Sequence, residues 1–181
     1  MTRTPLCLFV CLIFAAAASG QPKDAIKKVE ASFEPAQAKR GQTVSLKITV
    51  QLADGYHTYP VVQPAPEAKY STNTIAFPTG GPIVFVGETV DPAGPKSKKA
   101  EDHEYLVYPG GGTWIRKAVV RPTGKPGEAA VKVQLRLMVC DEDRCFPPKT
   151  FDLEAMLKVL DEPAVPVEAK YKSEVEKAEK K

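Results

Sequence analysis

The chain has 181 residues and a net charge of +3, with 26% of its residues charged. A balance this close to neutrality disfavours nucleic acid and anionic lipid surfaces as dedicated partners. Beyond the amino terminus no apolar run approaches the length of a membrane-spanning helix, so we expect no membrane insertion once a leader has been removed.

Residues 1–20 have the pattern of a secretory signal peptide. A single positive charge precedes an apolar stretch over residues 6–18, and small residues offer cleavage sites before Gln21. Two of the four cysteines, Cys7 and Cys11, lie in this segment. We therefore expect residues 1–20 to be removed and the remaining chain to be a soluble periplasmic or secreted protein.

Alternating apolar and polar residues predict strands along most of the chain up to residue 160. The predicted strands are 27–33, 44–52, 56–60, 74–77, 83–89, 104–108, 113–121, 131–139 and 151–158. Turns rich in Gly and Pro separate them, and roughly seven to nine short strands of this kind are typical of a sandwich. The sequence thus predicts an all-β domain over residues 21–160, an immunoglobulin-like β-sandwich with Trp114 packed between its sheets.

Residues 161–181 differ in composition from the predicted domain. They are nearly all polar after Pro163 and Pro166, and pairs such as Glu176 with Lys180 favour a short helix. The segment has too few apolar residues to order itself alone. We expect a charged tail that is disordered or forms a short helix, with a tether or docking helix as the alternative.

Cys140 and Cys145 are the two cysteines outside the leader. The run over residues 139–148 is Val-Cys-Asp-Glu-Asp-Arg-Cys-Phe-Pro-Pro. Export places both thiols in an oxidising compartment, where disulfides form. A disulfide closing so short a loop contributes only about 2 kcal/mol, so redox chemistry is an alternative to a stabilising role. Alternation along residues 131–139 puts Cys140 on the polar face, which predicts an accessible sulfur at a strand end.

The residues between the two cysteines carry charge that bears on their redox chemistry. Asp141, Glu142 and Asp143 disfavour a nearby thiolate, and Arg144 offsets only part of this effect. A disfavoured thiolate destabilises the reduced form. Our hypothesis is that the pair is a good electron donor.

The cysteine run in a Pro-rich exported β domain resembles the N-terminal periplasmic domain of the thiol:disulfide interchange protein DsbD, also described as the disulfide bond corrector domain family. The segment Gly-Tyr-His-Thr-Tyr-Pro over residues 55–60 is similar to a Gly-aromatic-His-x-Tyr segment of that family. The likeness covers most of residues 25–160. It implies an immunoglobulin-like fold carrying a redox-active cysteine pair.

The resemblance also implies a role for each cysteine. Cys145, which precedes Phe-Pro-Pro, would form the mixed disulfide, and Cys140 would resolve it. A loop matching residues 101–108 would shield the pair with an aromatic cap, for which Tyr105 and Tyr108 are the candidates. Electrons would pass from a membrane donor to thioredoxin-like periplasmic proteins and other exported disulfides. Family members continue into a transmembrane conduit and a thioredoxin-like domain that this sequence lacks, so the donor would be a separate protein.

Two alternatives remain open at the level of sequence. The disulfide can be purely structural, in a non-catalytic immunoglobulin-like binding or scaffold domain. Cys140, Cys145, His57 and His103 are enough in number to bind a metal, but the histidines lack paired metal-ligand spacing, and we expect no metal and no cofactor. The sequence contains no hydrolase or phosphate-binding motif.

Overall fold

A computed structural model describes the chain at Pro22, residues 24–100 and residues 103–180. The predicted leader, residues 1–20, lies outside the described residues. In the described part, no helix combines the length and the apolar character needed to cross a membrane.

The described residues form eleven strands and one α-helix. In chain order these are β1 (Ile26–Glu34), β2 (Gln37–Ala38), β3 (Thr43–Leu52), β4 (His57–Thr58), β5 (Thr74–Ala76), β6 (Ile83–Val90), β7 (Lys96–Lys99), β8 (Glu104–Pro109), β9 (Gly111–Val120), β10 (Gly127–Leu137), β11 (Lys149–Val159) and α1 (Lys172–Glu179). Short 3₁₀ helices cover Pro66–Ala68 and Ala169–Tyr171.

The strands assemble into two larger sheets and one smaller sheet. One four-stranded sheet has the order β1-β3-β9-β6, and the other has the order β2-β11-β10-β5. The third sheet has the order β4-β8-β7 and is built from short strands. The fold is therefore an all-β, immunoglobulin-like β-sandwich, which confirms the predicted fold class.

The core lies between the inward faces of the two larger sheets. In β3 the alternating side chains of Val44, Leu46, Ile48 and Val50 are each 1% exposed or less, as the period-2 pattern predicts. Trp114 of β9 is also buried; its ring meets Tyr108 edge-on at 5.9 Å, and its Nε1 donates a hydrogen bond to Asp91 at 2.7 Å. The prediction that Trp114 packs inside the sandwich is confirmed.

The structure adds strands that the apolar pattern does not predict. The two-residue β2 is too short to show alternation, and β7 is composed of lysine and serine, so it pairs with β8 without an apolar face. The predicted strand over residues 131–139 ends earlier, at Leu137. Beyond this end, Val139 and Cys140 are both buried.

The C-terminal segment packs against the sandwich. Val175 of α1 is 3% exposed and forms an apolar cluster with Val84, Val86 and Val119. The Glu174 carboxylate accepts a hydrogen bond of 3.1 Å from the backbone N–H of Gly87, where the pairing of β6 with β9 shifts register. The helix thus covers apolar side chains of β6 and β9.

Candidate redox site

Cys140 and Cys145 form a disulfide just beyond the end of β10. Their Cα atoms are 4.0 Å apart, and the two residues face each other as an antiparallel bridge. Asp141 closes the turn between them, because its Oδ1 accepts the backbone N–H of Asp143 at 2.9 Å and that of Arg144 at 2.8 Å. These hydrogen bonds hold the pKa of Asp141 below its usual value, Arg144 being the largest contributor.

The two sulfur-bearing residues differ sharply in exposure. Cys145 is exposed, whereas Cys140 is only 1% exposed. The expectation of an accessible Cys140 on the polar face is therefore wrong. Regular pairing of β10 ends at Leu137, although Val139 is still buried, and Cys140 pairs with His57 and packs in a small apolar cluster with Tyr59 and Val107.

Tyr59 contacts both sulfurs of the disulfide. Its hydroxyl oxygen lies 3.0 Å from Cys140 Sγ and 3.3 Å from Cys145 Sγ. Neither sulfur of a disulfide carries a hydrogen, so the hydroxyl is the donor. Burial, with a further contribution from Tyr105, raises the pKa of Tyr59 to about 12, which keeps the hydroxyl protonated at neutral pH.

The sequence predicts no role for Tyr59, although Tyr59 lies within a segment that resembles a family motif. It is the second aromatic residue of the segment over residues 55–60 that resembles the family motif. Alternation within a run as short as β4 does not specify which neighbour a side chain meets. The pairing of His57, two residues before Tyr59, with Cys140 helps to bring Tyr59 to the sulfurs.

A buried asparagine fixes the chain on either side of the disulfide. Asn73 Nδ2 donates to the carbonyl oxygen of Tyr59 at 2.6 Å, and Asn73 Oδ1 accepts the backbone N–H of Met138 at 2.9 Å. Thr58 Oγ1 donates to the Met138 carbonyl at 2.7 Å. Asn73 is 2% exposed, yet it follows Ser-Thr in a loop, where sequence alone indicates only a turn residue.

The structure separates the two candidate cap residues. Tyr105 is partly buried against the cluster that contains Cys140, with its ring 6.3 Å from that of Tyr59. Tyr108 is 4% exposed and belongs to the core beside Trp114. The structure thus brings Tyr105 to the cysteine cluster and places Tyr108 inside the sandwich. Whether Tyr105 shields the sulfurs as a cap stays a prediction.

The two histidines occupy different positions around the pair. His57 exchanges backbone hydrogen bonds with Cys140 at 2.9 and 3.0 Å, is 6% exposed, and meets the Tyr59 ring edge-on at 5.7 Å. Burial and the charge of Lys98 lower the pKa of His57 to about 4, and Asp141 opposes this shift. His103 lies beside Tyr105, with ring centroids 6.3 Å apart. Among residues 24–100 and 103–180, no three His, Cys, Asp or Glu side chains are grouped as metal ligands.

The arrangement is suited to thiol–disulfide exchange at one sulfur. Cys145 is the exposed residue of the pair, so we expect an attacking thiolate to meet its sulfur. The Cys140 thiolate expelled by such an attack would receive a hydrogen bond from Tyr59. Glu142 and Asp143 are exposed on the turn beside Cys145. The hypothesis that these charges make the pair a good electron donor stays a prediction.

Comparisons with known proteins give likeness in structure only. The chain matches no protein-family model and no curated protein. It is similar to the N-terminal periplasmic domain of ScsB from Proteus mirabilis, with 18% identity and a TM-score of 0.44 over 80% of this chain and 51% of that one. The chain therefore spans about half of the length of that protein's solved chain.

Two further solved structures are similar over much of this chain. One is from a type I cohesin–dockerin complex of Clostridium thermocellum, with 12% identity and a TM-score of 0.37 over 74% of this chain and 100% of that one. The other is AggA, the major subunit of aggregative adherence fimbriae type I from Escherichia coli, with 11% identity and a TM-score of 0.32 over 74% of this chain and 95% of that one. At these identities the likeness concerns the fold.

Proposed function

We propose that this chain is an exported thiol:disulfide exchange module, an oxidoreductase-type relay domain working through Cys140 and Cys145. The observation that carries the proposal is the asymmetry of the pair: one sulfur belongs to an exposed residue, and the other is buried beside a hydroxyl donor. Exposed disulfides are more readily reduced than buried ones, so exposure of one half of the pair favours exchange. The resemblance of the cysteine run to the DsbD N-terminal domain family supports the same function.

Reduction of the module begins at Cys145. A donor thiolate attacks the Cys145 sulfur, the bond to Cys140 breaks, and the electron pair leaves on the Cys140 sulfur as a thiolate. The Tyr59 hydroxyl stabilises that charge. A second donor thiolate then attacks the donor sulfur of the mixed disulfide and releases Cys145 as a thiolate; each protein thiolate takes one proton.

When the reduced module passes its electrons to a substrate disulfide, the steps run in reverse. The Cys145 thiolate attacks a substrate disulfide, and Cys140 resolves the mixed disulfide. We propose a membrane protein as electron donor, and thioredoxin-like periplasmic proteins and other exported disulfides as acceptors. In this proposal residues 1–20 direct export to the periplasm or the exterior, residues 21–160 form the working domain, and residues 161–181 are an appended segment.

Trapping of mixed disulfides tests the proposal. Cys140→Ser removes the resolving sulfur, so this variant should accumulate a mixed disulfide with a thioredoxin-like protein through Cys145. Cys145→Ser leaves only the buried sulfur and should trap far less. Non-reducing electrophoresis and mass spectrometry of the linked peptides report both outcomes. If neither variant forms a mixed disulfide, thiol exchange is not the function.

A non-catalytic immunoglobulin-like scaffold with a structural disulfide is the second candidate. The burial of Cys140 within an apolar cluster favours it, because buried structural cysteines are inert. Thermal melting distinguishes the two candidates. A redox module must fold in both states, so reduction should cost it little stability, as the short loop allows. If the disulfide is structural, its reduction should lower the melting temperature by many degrees, with no trapped complex in either variant.

A further inference from the structure

The buried Cys140 must lose a proton before it can act as a nucleophile. In the proposed cycle its thiol resolves the mixed disulfide at Cys145, and only the thiolate attacks a disulfide sulfur. Burial disfavours the thiolate and keeps bulk water away from the thiol. A neighbouring group that can take the proton would therefore determine how fast the disulfide closes.

The described titratable groups around this position include Tyr59, Tyr105, Lys98, Asp141 and His57. Tyr59 is protonated and donates to the sulfur, and Lys98 is a cation. Asp141 Oδ1 accepts the backbone N–H groups of its own turn, and these hydrogen bonds lower the pKa of the carboxyl group and so weaken it as a base. His57 is paired directly with Cys140. In such a hydrogen-bonded antiparallel pair the Cα atoms lie about 5.5 Å apart and the two side chains are on the same face.

We infer that His57 accepts the proton of the Cys140 thiol as the disulfide closes, so that the redox change at this buried cysteine is coupled to a proton on the imidazole. This inference deepens the proposed function and rests on it. Its geometric basis is the pairing of His57 with Cys140 through two backbone hydrogen bonds, together with the edge-on contact of the imidazole with Tyr59.

The charge state of His57 in the disulfide form fits this role. Burial and Lys98 hold the pKa of His57 at about 4, so the imidazole is neutral near pH 7 and retains a lone pair. A thiolate on Cys140 would add a negative charge beside the ring and favour the imidazolium. His57 is thus disposed to hold a proton while that thiolate exists and to release it once the disulfide has formed.

The step balances without another reagent. With a partner sulfur linked to Cys145, the Cys140 proton moves to His57, and the Cys140 thiolate attacks the Cys145 sulfur. The Cys140–Cys145 bond forms, the bond from Cys145 to the partner breaks, and the partner leaves as a thiolate. His57 then gives the proton to that thiolate or to water. The cysteine pair is oxidised, and the partner disulfide is reduced.

A symmetric nitrobenzoate disulfide separates the two half-steps. Added to the reduced full-length protein, it should release one coloured thiolate as Cys145 attacks and a second as Cys140 resolves. The second phase is unimolecular and therefore independent of reagent concentration. His57→Gln should leave the first phase nearly unchanged and slow the second by about tenfold or more near neutral pH, as expected for loss of a positioned base.

The pH profile distinguishes a base from a structural residue. The deficit of His57→Gln should shrink as pH rises, because hydroxide then deprotonates Cys140 directly. His103→Gln is the matched control, since it removes the same type of ring beside Tyr105, and both of its phases should follow wild type. A second phase that is equally slow at every pH, or that is unchanged in His57→Gln, would overturn the inference.

A measurement on the wild type covers the case in which the variant fails to fold. In wild type the rate of the second phase should be nearly independent of pH between about 5 and 8, because the proton passes from Cys140 to a neutral His57 within the protein. A rate that rises about tenfold per pH unit across this range, as deprotonation by hydroxide requires, would overturn the inference and leave the exchange function intact. A wild-type protein with no first phase would refute the exchange function, and the role of His57 with it.

Discussion

At the scale of single residues, the difference between Cys140 and Cys145 governs the chemistry that we propose. Cys140 is buried beside the Tyr59 hydroxyl, while Cys145 lies at the exposed end of an acidic turn. An attacking thiolate therefore meets one sulfur first. Tyr59 then decides how well the departing Cys140 thiolate is tolerated, because a hydrogen bond to a charged group is stronger than one to a neutral group.

Removal of the Tyr59 hydroxyl should slow opening of the disulfide. Tyr59→Phe keeps the ring but leaves the Cys140 thiolate without its donor, which costs about 1.5 kcal/mol in the step that expels it and corresponds to roughly tenfold slower reduction. The rate of reduction by dithiothreitol, followed by mass spectrometry, measures this effect. Tyr56→Phe is the control, because it also removes a tyrosine hydroxyl, in this case from a ring that contacts Phe146. Equal rates in both variants would show that the hydroxyl has no kinetic role.

At the scale of elements, two sheets contribute to the site: the cysteines follow β10 of a larger sheet, and the small sheet β4-β8-β7 supplies His57 and Tyr105. The strand β8 contributes to both the site and the core, because it presents Tyr105 to the cysteine cluster and Tyr108 to the sandwich core. Replacement of Tyr105 should therefore affect the reduction rate of the disulfide, and replacement of Tyr108 the free energy of unfolding.

Tyr105→Ala should speed reduction of the disulfide by dithiothreitol and change the free energy of unfolding little, because access to sulfur is one determinant of exchange rate. Tyr108→Ala should lower the free energy of unfolding by about 3 kcal/mol, as truncation of a buried aromatic ring does. Urea denaturation and reduction kinetics, measured on both variants, check the pair. Unchanged reduction kinetics in Tyr105→Ala would contradict the prediction that Tyr105 caps the disulfide, without bearing on the redox role of the cysteine pair.

Most of the fold could be predicted from the sequence, and part of the site could not. The alternation of Val44, Leu46 and Ile48 reflects local geometry, so it specifies a strand and its buried face without further information. The orientation of Cys140 depends on where β10 stops pairing, which is decided by a distant asparagine and by β4. Hydrogen bonds between residues far apart in sequence leave no periodic signal.

At the scale of the whole molecule, the C-terminal segment extends the apolar packing of the sandwich. Sequence composition predicts a polar segment, and the structure places its few apolar side chains, including Val175, over β6 and β9. Glu179 also accepts hydrogen bonds from Arg121 at 2.6 Å and from Thr123 at 2.8 Å. The segment therefore packs against the sandwich through specific contacts.

Val175→Asp should detach α1 and lower the free energy of unfolding by about 2 kcal/mol, since a buried valine is lost and a charge cannot remain in its place. Glu176→Gln is the control, because it removes only an exposed ion pair with Lys172 at 3.9 Å and should be nearly silent. Circular dichroism and urea denaturation measure both variants. The reduction rate of the disulfide should stay unchanged, because α1 contacts β6, β9, Arg121 and Thr123, and the cysteine pair follows β10.

The hydrogen bonds between His57 and Cys140 join main-chain atoms and do not involve the sulfurs. We therefore expect them to persist when the disulfide opens, so that the dithiol and disulfide forms present nearly the same outline to the proteins they meet. A partner then has no shape by which to choose one form over the other. Under the proposed function, such a module is a reversible carrier, and the net direction of electron flow follows the reduction potentials and the abundance of its partners.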